Sequence, residues 1–123
     1  MSLAESKSNY LGAEFIVSAD TLKIIGTIDS STPGEFLSPF FKSLHEQIVS
    51  SNVKKINIDI TGLSYINSSS IKELVSWIIM QKSLPDDQEY MMNFICNSEY
   101  LWQDSSITTV SFLNPSKITK EVI

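Results

Sequence analysis

Three consecutive serines, Ser68, Ser69 and Ser70, stand between an apolar-rich segment and a helix-like one. A hydroxyl at such a junction can cap the helix, attack an electrophile, or accept a phosphate. Capping comes first, because Ser70-Ile71-Lys72-Glu73 has capping-box spacing: the Ser70 oxygen would accept from the Glu73 N–H while Glu73 reaches back. A cap contributes about 1 kcal/mol. A helix needs only one, so Ser68 and Ser69 are left over. Nucleophilic attack needs a general base, and the only histidine, His45, sits beside Glu46 and Gln47 on an expected solvated helix face. No G-x-S-x-G elbow is present. Asp29 and Asp59 are expected at strand ends, but nothing around them has the pattern of a substrate site. The glycines are too scattered to cradle a phosphate chain. The residues therefore point away from an enzyme. A phosphate is different, because the start of a helix offers free N–H groups and a partial positive charge. Phosphorylation there adds roughly −1.5 to −2 charges, enough to break a docking surface by repulsion and desolvation.

Other chemistry is thin. Cys96 is the sole cysteine, so no intrachain disulfide forms, and without a second thiol or a nearby histidine it reads as a buried hydrophobe in a reducing compartment, not a metal ligand. No cofactor is implied. The net charge of −5 comes with no basic cluster beyond Lys54-Lys55, which argues against nucleic acid as a partner. No run approaches the ~20 apolar residues that span a bilayer. The opening MSLAESKSN lacks the basic and apolar regions of a signal peptide, so the chain reads as cytoplasmic. With 123 residues, 42% apolar and 19% charged, it reads as one soluble domain held by packing.

The elements that must position the serines follow from periodicity. Residues 1–12 are polar and carry no motif, so a flexible segment is expected there, with the domain occupying 13–123. Residues 14–17 and 21–28 read as a hairpin. Thr32-Pro33-Gly34-Glu35 predicts a capped helix start with proline at the first position. Leu37, Phe40, Phe41, Leu44 and Ile48 then form one helical face, interrupted only by the kink expected at Pro39. Residues 53–60 alternate as a strand, which Thr61-Gly62 breaks. Ile71, Leu74, Val75, Ile78 and Ile79 make a second helix, ended by Pro85-Asp86-Asp87. Residues 90–96 read as a central strand buried on both faces. A third helix is expected from Asn97 or Ser98 to Ser105, with Tyr100 and Trp102 packing on the sheet, followed by a last strand at 109–113. The tail 116–123 alternates weakly, as an extra edge strand would. The order β-β-α-β-α-β-α-β implies an α/β fold: a mostly parallel β-sheet with an antiparallel first strand, covered by helices.

The stretch from Asp59 through Thr61, Gly62, Leu63 and Ile66 to Asn67-Ser68-Ser69-Ser70-Ile71 resembles the signature of the STAS domains, the anti-sigma-factor antagonists, whose usual form ends in D-S-S-G-L. Gly26-Thr27-Ile28-Asp29 is similar to the family's segment before the first helix. The resemblance covers about residues 13–113 and implies a single STAS-like domain of bacterial type. It implies a non-enzymatic partner switch in transcription regulation, binding an anti-sigma factor, a serine kinase or a related regulator protein, with no nucleic acid and no membrane. Phosphorylation would fall on Ser69, with Ser68 as its neighbour. Asp29, Asp59, Asn67, Ser68, Ser69 and Ser70 would make up the partner-binding surface. Two positions depart from the pattern: Asn67 stands in place of aspartate and Ser70 in place of glycine. They leave open a constitutive interaction module that works without phosphorylation. A small nucleotide-binding α/β protein is the alternative outside the family.

Overall fold

A strand that alternates apolar and polar residues must lay its apolar row on something, and in this chain every such row faces the same side. The computed structural model describes residues 3–123. Six strands pair in sequence order: β1 (Leu3–Tyr10), β2 (Ala13–Ala19), β3 (Thr21–Ile28), β4 (Lys55–Ile66), β5 (Met91–Cys96) and β6 (Ile118–Val122). β1, β2 and β3 form an antiparallel meander, and β3 to β6 are parallel. The parallel steps are bridged by α1 (Gly34–Ser50), α2 (Ser68–Lys82) and α3 (Leu101–Ser111). Each step advances by one strand in the same direction. With the right-handed crossover usual for such units, all three helices fall on one face of the sheet. Leu37 and Phe41 of α1, Leu74 and Trp77 of α2, and Ile107 and Val110 of α3 accordingly enclose one apolar space with Ile24, Ile58 and Phe94. It leaves a small cavity of about 30 Å³, lined by apolar side chains apart from Ser106.

The expected mostly parallel α/β sheet is present, and its helices cover one face only. On the other face Asn57, Asn93 and Thr119 lie side by side in register. Asn93 Nδ2 donates to Asn57 Oδ1 at 3.1 Å, and Thr119 Oγ1 donates to Asn93 Oδ1 at 2.8 Å. β5 therefore buries Met92, Phe94 and Cys96 in the core and turns Met91, Asn93 and Ile95 to the helix-free side.

Several segments differ from the sequence reading. Residues 3–10, expected to be flexible, form edge strand β1, anchored by buried Leu3 at one end and by Tyr10 at the other. Met1 and Ser2 lie outside the described residues. The strand expected at 109–113 is instead the last turn of α3, which ends at Ser111, and the turn after it, because Gln103, Ile107 and Val110 recur at helical spacing and bury together. The sixth strand comes instead from the tail, where Ile118 is buried beside Met92. In α1 no side chain caps the start: the Glu35 N–H bonds the Thr32 carbonyl oxygen at 3.2 Å, and Thr32 turns its own N–H to Ser30 Oγ. The helix runs through Pro39, which is exposed, and buries Leu37, Phe41, Leu44 and Ile48.

Candidate functional site

β4 is the element that delivers the serines. It pairs with β5 only from Lys55 to Asp59, yet runs on to Ile66 against β3. Thr61-Gly62, expected to end the strand, is instead where the register with β3 shifts. A Cβ on Gly62 would meet the Ile25 side chain at 3.3 Å, so the strands approach closely there. Beyond β5, the free edge of β4 would leave carbonyls without partners. Side chains from α3 and the loop before it take them up. Gln103 Nε2 donates to the Ile60 and Leu63 carbonyls at 2.6 and 2.7 Å, Asn97 Nδ2 to the Thr61 carbonyl at 3.0 Å, and Trp102 Nε1 to the Ser64 carbonyl at 2.8 Å. Gln103 Oε1 in turn accepts from the Asn97 N–H at 2.7 Å. Gln103 is fully buried. The sequence reading passed over it, although a glutamine on the same helical face as Ile107 and Val110 was the available signal.

At the end of β4 the backbone enters α2 through Asn67. Asn67 caps the helix, its Oδ1 accepting from the Ser70 N–H at 3.0 Å, and Ser70, expected in that role, lies three residues inside. The reason is local: Asn67 has the extended backbone of a cap residue. Its N–H bonds the Ile28 carbonyl at 3.0 Å and its Nδ2 donates to the Ser30 carbonyl at 2.7 Å, which ties the start of α2 to the loop after β3. Asp29 lies in that loop, exposed, with Oδ1 3.5 Å from Asn67 Nδ2.

The predicted residues then separate. Ser68 and Ser69 occupy the first turn of α2 and are exposed. Asp29 and Asn67 stand beside them. Ser70 is fully buried, and its Oγ has no hydrogen-bond partner among the described residues, so it offers nothing to a docking protein. Asp59 is not part of the cluster. It lies within β4 on the helix-free face, paired in register with Lys23 and Ile95, and its Oδ1 accepts from the Thr61 N–H and Oγ1. Eight residues of strand, about 25 Å, separate it from Asn67.

His45 is half-buried, not solvated, and its Nδ1 lies 2.7 Å from the Tyr90 hydroxyl. That hydroxyl also accepts from Trp77 Nε1 at 2.9 Å. An indole N–H can only donate, so the Tyr90 hydroxyl accepts from Trp77 and bridges it to His45. Burial holds the His45 pKa below its ordinary value and pushes that of Tyr90 up. Trp77 is eight residues past Ser69, roughly 12 Å along the helix. The histidine is thus committed to the far end of α2 and does not serve the serines as a base. Burial pushes the Cys96 thiol up to about 11, leaving it protonated at neutral pH. Among the described residues, no three His, Cys, Asp or Glu side chains converge as metal ligands, and no helix is long and apolar enough to cross a membrane.

An antiparallel meander leading into a parallel sheet, with three helices on one face and exposed serines opening the second of them, is the α/β architecture that the STAS resemblance of the sequence implies. No family model and no curated protein matches the chain. Among solved structures, a crystal structure of an anti-sigma factor antagonist from Mycobacterium paratuberculosis matches 96% of this chain and 86% of its own length, with a TM-score of 0.50 at 14% identity. The likeness is one of fold, and the STAS resemblance read from the sequence holds at that level.

Proposed function

We propose that the protein is a non-enzymatic signalling adaptor of the anti-sigma-factor-antagonist kind, which docks on an anti-sigma factor, a serine kinase or a related regulator through the start of α2. Ser69 is the phosphoacceptor and Ser68 its neighbour, with Asp29 and Asn67 completing the surface. One observation carries the reading: Asn67 performs the capping, so the two exposed serines have no structural task of their own. A phosphate on Ser69 sits in the first turn of α2, where the helix field favours negative charge, so it changes the docking surface without unfolding the helix. The fold it shares with an anti-sigma factor antagonist supports the same role.

The test is capture of regulators from the protein's own cells with wild type, Ser69→Ala and Ser69→Asp as baits. The switch predicts that wild type and Ser69→Ala retain a kinase-type or anti-sigma regulator that Ser69→Asp loses by at least about tenfold, or about 1.4 kcal/mol. Equal capture by all three leaves an interaction module without a switch.

A further inference from the structure

Tyr10 closes β1, in the segment whose sequence carries no motif, yet its side chain is engaged at both ends. The ring stacks on Phe36 in the first turn of α1, with centroids 4.8 Å apart and planes 5° from parallel. The hydroxyl donates to Ser30 Oγ at 2.7 Å. Ser30 is buried, and its Oγ also receives the Thr32 N–H at 3.1 Å. The carbonyl of the same Ser30 holds Asn67 Nδ2 at 2.7 Å, and Asn67 Oδ1 holds the Ser70 N–H at 3.0 Å. Hydrogen bonds at the Oγ and at the carbonyl of Ser30 therefore link the first strand, through that one residue, to the helix start that displays Ser68 and Ser69.

We propose that Tyr10 is a positioning residue for this surface, fixing the loop after β3 through Ser30 and so holding Asn67 in its capping geometry. The first strand is then part of the site and not merely the edge of the sheet. Only the name of the surface as a switch rests on the function proposed above. The geometric claim concerns the protein alone and is tested without kinase or partner, so either can fail without the other.

Tyr10→Phe keeps the stack on Phe36 and the strand pairing and removes only the hydroxyl. Amide exchange followed by NMR on the free protein reads the result. The Thr32 and Ser70 amides are expected to exchange about fivefold faster, the factor that loss of one net hydrogen bond gives. Amides of the β4–β5 ladder should keep their rates. In an Asn67→Ala background, where the cap is already gone, Tyr10→Phe should add nothing at Ser70. An unchanged Ser70 rate, a uniform acceleration across the whole sheet, or a full additive effect in the Asn67→Ala background each overturns the proposal.

Discussion

Replacing Gln103 with leucine removes the side chain that completes the free edge of β4 while keeping its volume close. Three hydrogen bonds go: those to the Ile60 and Leu63 carbonyls at 2.6 and 2.7 Å, and the one from the Asn97 N–H at 2.7 Å. Asn97 is half-buried, so water can replace that partner, whereas Ile60 and Leu63 are buried at 4% and 2% exposure. An orphaned buried polar group costs about 1–3 kcal/mol, and the apolar leucine recovers part of this, so the net loss is roughly 3 kcal/mol. For a chain of this size that lowers Tm by about 10–15 °C. Urea unfolding followed by tryptophan fluorescence measures it directly. Gln103→Glu sharpens the reasoning, because a carboxylate facing two carbonyls has its folded pKa raised above the unfolded value of about 4.3. Such a group favours folding only while protonated, so the deficit of this variant should shrink as pH falls and grow as pH rises. If Gln103→Leu unfolds within about 0.5 kcal/mol of wild type, less than one ordinary net hydrogen bond, β4 does not depend on α3 for its carbonyls and the account of how the site is delivered is wrong.

Three further outcomes follow from the same structure. Ser70→Ala removes a buried hydroxyl that has no partner among the described residues while the Asn67 cap, which uses only the Ser70 N–H, stays; stability should be unchanged or up to about 1 kcal/mol higher, and a loss of that size would show a hidden partner for the hydroxyl. His45 has its folded pKa below the unfolded one, so its contribution is complete above about pH 6.5 and is lost as pH falls through the folded value; unfolding free energy measured from pH 7.5 to 5 should decline in wild type and decline less in His45→Gln. Cys96, buried with its pKa raised to about 11, should resist a thiol reagent at pH 8 until urea unfolds the chain, and rapid labelling of the native protein would contradict its placement.

Periodicity made most of the scaffold legible. The helical face of Leu37, Phe41, Leu44 and Ile48 buries as one stripe, and the alternation of Ile56, Ile58 and Ile60 is the core-facing row of β4. In α2 the expected face holds in part: Ile78 is buried and Ile71, Leu74 and Val75 are half-buried, whereas Ile79 is exposed and Trp77, one residue before Ile78, is buried instead. What escaped depends on tertiary context. β1 is an edge strand whose middle residues are mostly exposed, so no apolar row announces it. Thr108, Thr109 and Val110 favour a strand by local preference, and packing of Val110 with Ile107 overrides it. Within the site, Ser68 and Ser69 could be read from position alone. Asn67 and Ser70 exchanged roles because Asn67 also bonds Ile28 and Ser30, contacts 37 residues or more away in sequence that no local motif encodes. Asp59 was displaced from the cluster because β4 continues through Thr61-Gly62 along β3. Gln103 and Tyr10 matter through partners distant in sequence, and neither belongs to a recognisable pattern.

The proposed role rests most directly on Ser69. Phosphosite mapping by mass spectrometry, on protein isolated from its own cells with phosphatases inhibited, should find phosphate on Ser69 and none on buried Ser70. Phosphate absent from Ser69 would contradict the switch.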